Sequence, residues 1–126
     1  GPKVKEFEDK FAEICGVKNA IAVNSGTAAL HSALYAIGIE KGDEVITVPF
    51  TFVATVNSII MIGAKPIFVD VDVDTFNIDI TKIEEKITEK TKAILPVHYT
   101  GYMTDMRKIN QLSDKYAIPV IEDACQ

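Results

Sequence analysis

The feature that most constrains this chain is a change of hydrophobic period that recurs along its length. Short apolar runs rich in β-branched residues alternate with stretches whose apolar residues recur every three or four positions. The runs are "AIAVN" (20–24), "KGDEVITVP" (41–49), "KPIFVDVD" (65–72), "KAILPVH" (92–98) and "PVIED" (119–123). Near-continuous apolar runs of this length read as strands covered on both faces. The stretches between them read as amphipathic helices. Val4, Phe7, Phe11 and Ile14 form the first stripe, and Gly16 fits its stop. Ser25 is a candidate N-cap for the helix of "SGTAALHSALYAIG". A third helix follows in 51–63. Ile80, Ile83 and Ile87 mark another within 74–88, and Met106, Ile109 and Leu112 mark the last. One helix followed by five strands with four helical crossovers is an α/β fold. It predicts an open, mostly parallel sheet with helices on both faces and right-handed connections.

Composition narrows the partners. The chain has 126 residues and a net charge of −5, and its basic residues are scattered rather than gathered into a stripe. Nucleic acid and an anionic membrane are therefore not expected partners. No secretory signal and no apolar run near the ~20 residues of a membrane span is present, so a soluble, cytoplasmic protein is expected. Cys15 and Cys125 lie far apart, without metal-ligand spacing, and read as free thiols. Gly1-Pro2 has the look of a processing scar and is set aside.

Open α/β sheets bind ligands beyond the carboxyl ends of their strands. Those ends carry Asn24 to Thr27, Pro49 to Phe52, Asp70 and Asp72, His98, and Glu122-Asp123. "NSGT" leaves a strand and opens a helix. Gly26 lets backbone approach a ligand closely, Ser25 and Thr27 add hydroxyls, and the free amides of a helix start suit a phosphate. Plain helix capping competes with that reading. Phe50 and Phe52 offer either a face for a heteroaromatic ring or simple core packing.

Asp123 is a carboxylate at the tip of an apolar strand, which is costly unless it finds a cation or a donor. A protonated ring nitrogen would serve. So would a cap on a following helix, or a magnesium ion shared with Glu122. Strand alternation points Glu122 and Asp123 to opposite faces, which weakens any shared ligand. His98 reads as a structural residue before an acid–base group. Asp70, Asp72 and Asp74 read as turn chemistry before a metal site.

Taken in order, "NSGTAALHSAL", "GDEVITVPFTFVATVNSI", "GAKPIFVDVDVDTFNID", "TKAILPVH" and "VIEDACQ" resemble the DegT/DnrJ/EryC1/StrS family, sugar aminotransferases that use pyridoxal phosphate. The resemblance runs from about Phe7 to Gln126. It implies the N-terminal portion of the large domain of fold-type-I pyridoxal-phosphate enzymes, incomplete over 1–126. Ser25, Gly26 and Thr27 would then hold the phosphate and Phe52 would stack on the ring. Asp123 would be the catalytic partner of the ring nitrogen, and Gln126 would reach the phenolic oxygen or its surroundings. No metal is implied.

The implied reaction moves an amino group from glutamate or glutamine to a nucleotide-linked keto sugar, in a homodimer. Sugar dehydration within the same family is the alternative. A non-catalytic flavodoxin-like module that binds phosphate or a protein is a second alternative. "PVHYTGY" departs from the family's usual leucine-tyrosine-glycine after the histidine, which leaves the role of His98 open.

The family's Schiff-base lysine falls downstream of the "EDA-x-Q" motif, so the chain alone is expected to be inactive. The resemblance also implies a seven-stranded sheet in which two later strands separate residues 20–24 from 119–123. The first strand of the isolated chain is therefore expected to lack its neighbour. Rearrangement, element swapping or oligomerisation is expected to follow.

Overall fold

Three parallel strands order the molecule, and everything that covers them follows from their side-chain alternation. The computed structural model of the protein describes all 126 residues. Helix α1 spans Pro2–Cys15 and α2 spans Gly26–Ala36. Strand β1 is Glu44–Thr47, α3 is Val53–Met61, β2 is Lys65–Phe68, β3 is Thr91–Ile94 and α4 is Met106–Tyr116. The sheet order is β2-β1-β3, with Ile46 beside Ile67 on one side and Ile94 on the other.

Successive residues point to opposite faces, and two cores result. On one face Val45, Ala93 and Leu95 pack with Leu30 and Leu34 of α2 and Ile59 of α3. On the other, Ile46, Ile94 and Val97 pack with Ile83, Ile109 of α4 and Ile118. This is the predicted open parallel sheet covered on both sides.

The caps explain where the helices start and stop. Ser25 Oγ accepts from Ala28 N–H at 3.1 Å and opens α2. Asp105 caps α4 through Lys108 N–H. Gly16 ends α1 at φ +65°, a conformation that needs no strain without a Cβ.

Three expectations are corrected. Residues 20–24 form no strand: they are irregular, and Ile21 is 83% exposed. A strand needs a hydrogen-bonded partner strand, and none pairs with this segment. The expected helix near Ile80 to Ile87 is instead two short 3₁₀ turns, Ile80–Lys82 and Glu84–Lys86. Asp79 accepts from Thr81 N–H and sets the first of these turns, while the β-branched residues Ile80, Thr81, Ile83, Ile87 and Thr88 favour helix poorly. The apolar face nevertheless survives. Ile83 is fully buried, with Ile80 and Ile87 packed around it, because a three-residue step keeps a face in either kind of turn.

The last expected strand, 119–123, pairs with the 94–98 segment only through isolated bridges at Val120 and Asp123. Ile94 N–H donates to Pro119 carbonyl and His98 N–H to Asp123 carbonyl. The rung between them belongs to residue 96, which is proline and has no N–H to give.

Candidate active site

The carboxyl ends of β1 and β3, the start of α2 and the C-terminal residues meet around one cavity of about 290 Å³. Ser25, Gly26, Thr27, Phe52, Asp123 and Gln126 all line it, together with Thr51, Thr55 and Cys125. The six residues singled out from sequence come from three separated stretches, and the fold brings all of them together. The volume lies at the small end of the roughly 300–1,000 Å³ range of ligand pockets.

At the α2 end, Ser25 spends its hydroxyl on Ala28 N–H. The Gly26 and Thr27 N–H groups have no backbone or side-chain acceptor. Two free amides in the first turn of an eleven-residue helix carry its partial positive charge. Gly26 is there for closeness. A Cβ built on it would lie 2.7 Å from Cys125 Sγ, well inside contact distance.

Also lining the cavity, Asp123 is 6% exposed. Its Oδ2 accepts from Thr55 Oγ1 at 2.7 Å, and its Oδ1 accepts from Cys125 N–H at 3.3 Å. No lysine, arginine or histidine forms an ion pair with it. A buried carboxylate held only by neutral donors is suited to a cationic ligand atom. The Cys125 bond is a local turn contact and caps no helix among residues 123–126.

Glu122 takes the other face, as the alternation requires. Its carboxylate lies 2.8 Å from His98 Nε2. His98 Nδ1 accepts from Thr104 N–H at 3.2 Å, so the proton sits on Nε2 and is donated to Glu122. His98 is a buried structural tie between the sheet end and the loop before α4. Glu122 and Asp123 are engaged on opposite sides and do not converge on one ion.

The two phenylalanines separate. Phe50 packs with Tyr99 and Phe76, ring centroids 5.0 and 5.7 Å away. Phe52 is the N-cap residue of α3, is 73% exposed and has no aromatic partner. Its face is free at the cavity. The Gln126 side-chain oxygen accepts from Thr100 N–H, leaving its amide nitrogen as a spare donor. Asp72 Oδ1 accepts from Asp74 N–H, Thr75 N–H and the Thr75 hydroxyl, which is the turn chemistry expected of the 70–74 carboxylates. The Thr75 bonds hold the Asp72 carboxyl below the usual carboxylate range. Burial, then the Asp123 carboxylate, push the Cys125 thiol above its ordinary value.

The model of the DegT/DnrJ/EryC1/StrS aminotransferase family matches residues 1–126. The chain belongs to this family. Among curated relatives of this DegT-family chain, the UDP-4-amino-4-deoxy-L-arabinose–oxoglutarate aminotransferase of Shewanella sediminis is 49% identical over 124 residues, covering 98% of this chain and 32% of that protein. Among solved structures, NtdA of Bacillus subtilis with bound cofactor PMP superposes with a TM-score of 0.98 at 45% identity, over 100% of this chain and 29% of that one. A GDP-4-keto-6-deoxymannose-3-dehydratase superposes at 0.92 with 34% identity, over 99% and 34%. The chain spans about a third of the length of the curated relatives it matches. Pyridoxal phosphate is the family's cofactor.

The residues fit that group: free amides beside a cradle a Cβ would fill, a buried carboxylate with no cation, and an unpartnered aromatic face. None of the residues lining the cavity is a lysine. The sequence places Thr51 only among the strand-end residues and does not single out Thr55 or Cys125 for the site. No helix is long and apolar enough to cross a membrane.

Proposed function

We propose that this chain is the N-terminal part of the large domain of a cytoplasmic, homodimeric pyridoxal-phosphate-dependent sugar aminotransferase. One observation carries the reading. Six residues from three chain segments line one cavity, with free helix-start amides on one wall and a buried, cation-free carboxylate on another. The Gly26 and Thr27 amides would hold the phosphate, with Ser25 fixing the turn that presents them. Phe52 would cover the ring face and Gln126 would donate toward the ring's oxygen substituent. Asp123 would hold a proton at the ring nitrogen. When bound, the cofactor supplies the electron sink for carbanion chemistry.

The substrate would be a nucleotide-linked keto sugar, with glutamate or glutamine giving the amino group. The nucleotide-sugar aminotransferase among the relatives supports this. Dehydration of such a sugar is the second reading, favoured by the dehydratase of like structure. Strands from the remaining two thirds of the family's length would flank residues 20–24.

A spectrophotometric titration tests the site. Pyridoxal phosphate added to the chain should bind saturably and wash out on dialysis, since no lysine lines the cavity. Asp123→Asn should weaken binding by about tenfold, the range for losing a charged hydrogen bond. A wild-type chain that binds inorganic phosphate but shows no saturable change with the cofactor would favour the non-catalytic module.

A further inference from the structure

Asp123 does not stand alone at the cavity wall. Thr55 is fully buried and donates its hydroxyl hydrogen to Asp123 Oδ2 at 2.7 Å. A threonine hydroxyl has one hydrogen. The contact between Thr55 Oγ1 and Thr51 Oγ1, 2.8 Å, must then run the other way, with Thr51 donating to Thr55. The two bonds form a directed chain, Thr51 to Thr55 to Asp123, and each donation strengthens the next. Thr55 lies in the first turn of α3, where the helix's partial positive charge also favours an anion. The Thr55 backbone is fixed in turn: its N–H donates to Phe52 carbonyl, and its own carbonyl accepts from the buried Ser58 hydroxyl at 2.9 Å.

We infer that Thr51 and Thr55 are positioning residues that act through Asp123, fixing Oδ2 and holding the carboxylate in its charged form. The inference rests on the reading of Asp123 as the partner of a ring nitrogen. A proton shared between that nitrogen and Asp123 has two resting places. Donors aimed at the carboxylate stabilise the charged pair, with the proton on the ring, over the neutral pair with the proton on Asp123. Thr55 occupies Oδ2 with a short bond. Oδ1 accepts the longer Cys125 N–H contact, 3.3 Å, and the Cys125 thiol lies beside the carboxylate.

The test uses pyridoxamine phosphate labelled with ¹⁵N in the ring, which lacks an aldehyde and so forms no adducts with surface lysines. The ring ¹⁵N shift is followed against pH in the full chain. Wild type should show a protonated ring near neutral pH. Thr55→Val, which keeps the shape and removes the hydroxyl, should move the ring ¹⁵N shift at neutral pH toward its unprotonated value, as the ratio of charged to neutral pair falls by about tenfold. Thr51→Val should move it by a smaller amount, and Thr55→Ser should restore it.

A Thr55→Val chain that binds more weakly but keeps the wild-type ring ¹⁵N shift at neutral pH would reduce Thr55 to a packing role and overturn the inference. So would a serine variant that behaves as valine does. Thr51→Val, at a partly exposed position, keeps the question answerable should the buried variant misfold: an unchanged ring ¹⁵N shift there also counts against the chain. If Asp123→Asn leaves the ring proton unmoved, the reading of Asp123 itself fails, a result distinct from failure of the threonines alone.

Discussion

The β1–β3 centre and the stretch from α1 through residue 24 are similarly furnished with apolar side chains, yet only one of them buries them. Val45, Ile46, Ile94 and Leu95 are fully buried. Phe7, Phe11, Ile14 and Ile21 are largely exposed, and α1 buries only Ala12. The difference is the neighbour and not the residue. In the centre each strand has a strand beside it and a helix on each face. Around 20–24 there is α1 on one side, tied by the bond from Ala22 N–H to Glu8, and nothing to complete a ladder. Periodicity tells which way an apolar side chain would face. It does not supply the surface that receives it.

Three experiments would break or sharpen this contrast. The largest effect should come from Ile46→Ala, which empties a fully enclosed site and should cost about 2–5 kcal/mol in urea unfolding. Ile21→Ala should stay within roughly 0.5 kcal/mol. Equal costs would mean that residues 20–24 are structured as firmly as the sheet.

Gly26 sits at the joint between the two regions. Gly26→Ala forces Cys125 to move, and the cost should fall by about 1 kcal/mol in a Cys125→Ala background, read from a double-mutant cycle. Additive effects would show that the Gly26–Cys125 contact is not maintained in solution. The smallest effect concerns the thiol itself. A raised Cys125 value means less thiolate at a given pH, so alkylation by iodoacetamide near pH 8 should lag that of an unhindered thiol and catch up as pH rises. Asp123→Asn removes the negative neighbour and should quicken it. No change would indicate that Cys125 lies away from Asp123.

The sheet's order of faces was legible because Val45-Ile46 and Ala93-Ile94-Leu95 have little freedom in where to go. The helix expected at 80–87 is absent for a physical reason. A three-residue step between Ile80 and Ile83 satisfies a 3₁₀ turn as well as an α-helix, and the β-branched residues there disfavour the α-helix. Pro96 could have warned that the last strand would pair incompletely, since its missing rung is written in its identity.

At the cavity, Gly26 and Asp123 could be singled out because glycine at a helix start and a carboxylate at a strand tip both need explaining. Thr55 could not. A threonine in an apolar helix looks ordinary until another segment, 68 residues later in sequence, brings a carboxylate to it.

The gap that Pro96 leaves in the ladder has a consequence for cooperativity. Asp123 hangs from the sheet by two bonds beyond the vacant rung, from its own N–H to Pro96 carbonyl and from His98 N–H to its carbonyl, while Ile121 N–H to Ile94 carbonyl lies on the other side of the gap. This margin should open at lower free energy than the β1–β3 centre, and open first. A ligand that grips both Asp123 and the start of α2 would fasten that margin from outside. Occupancy and edge order would then rise together, and a melting curve would report the loaded cavity before it reported the core.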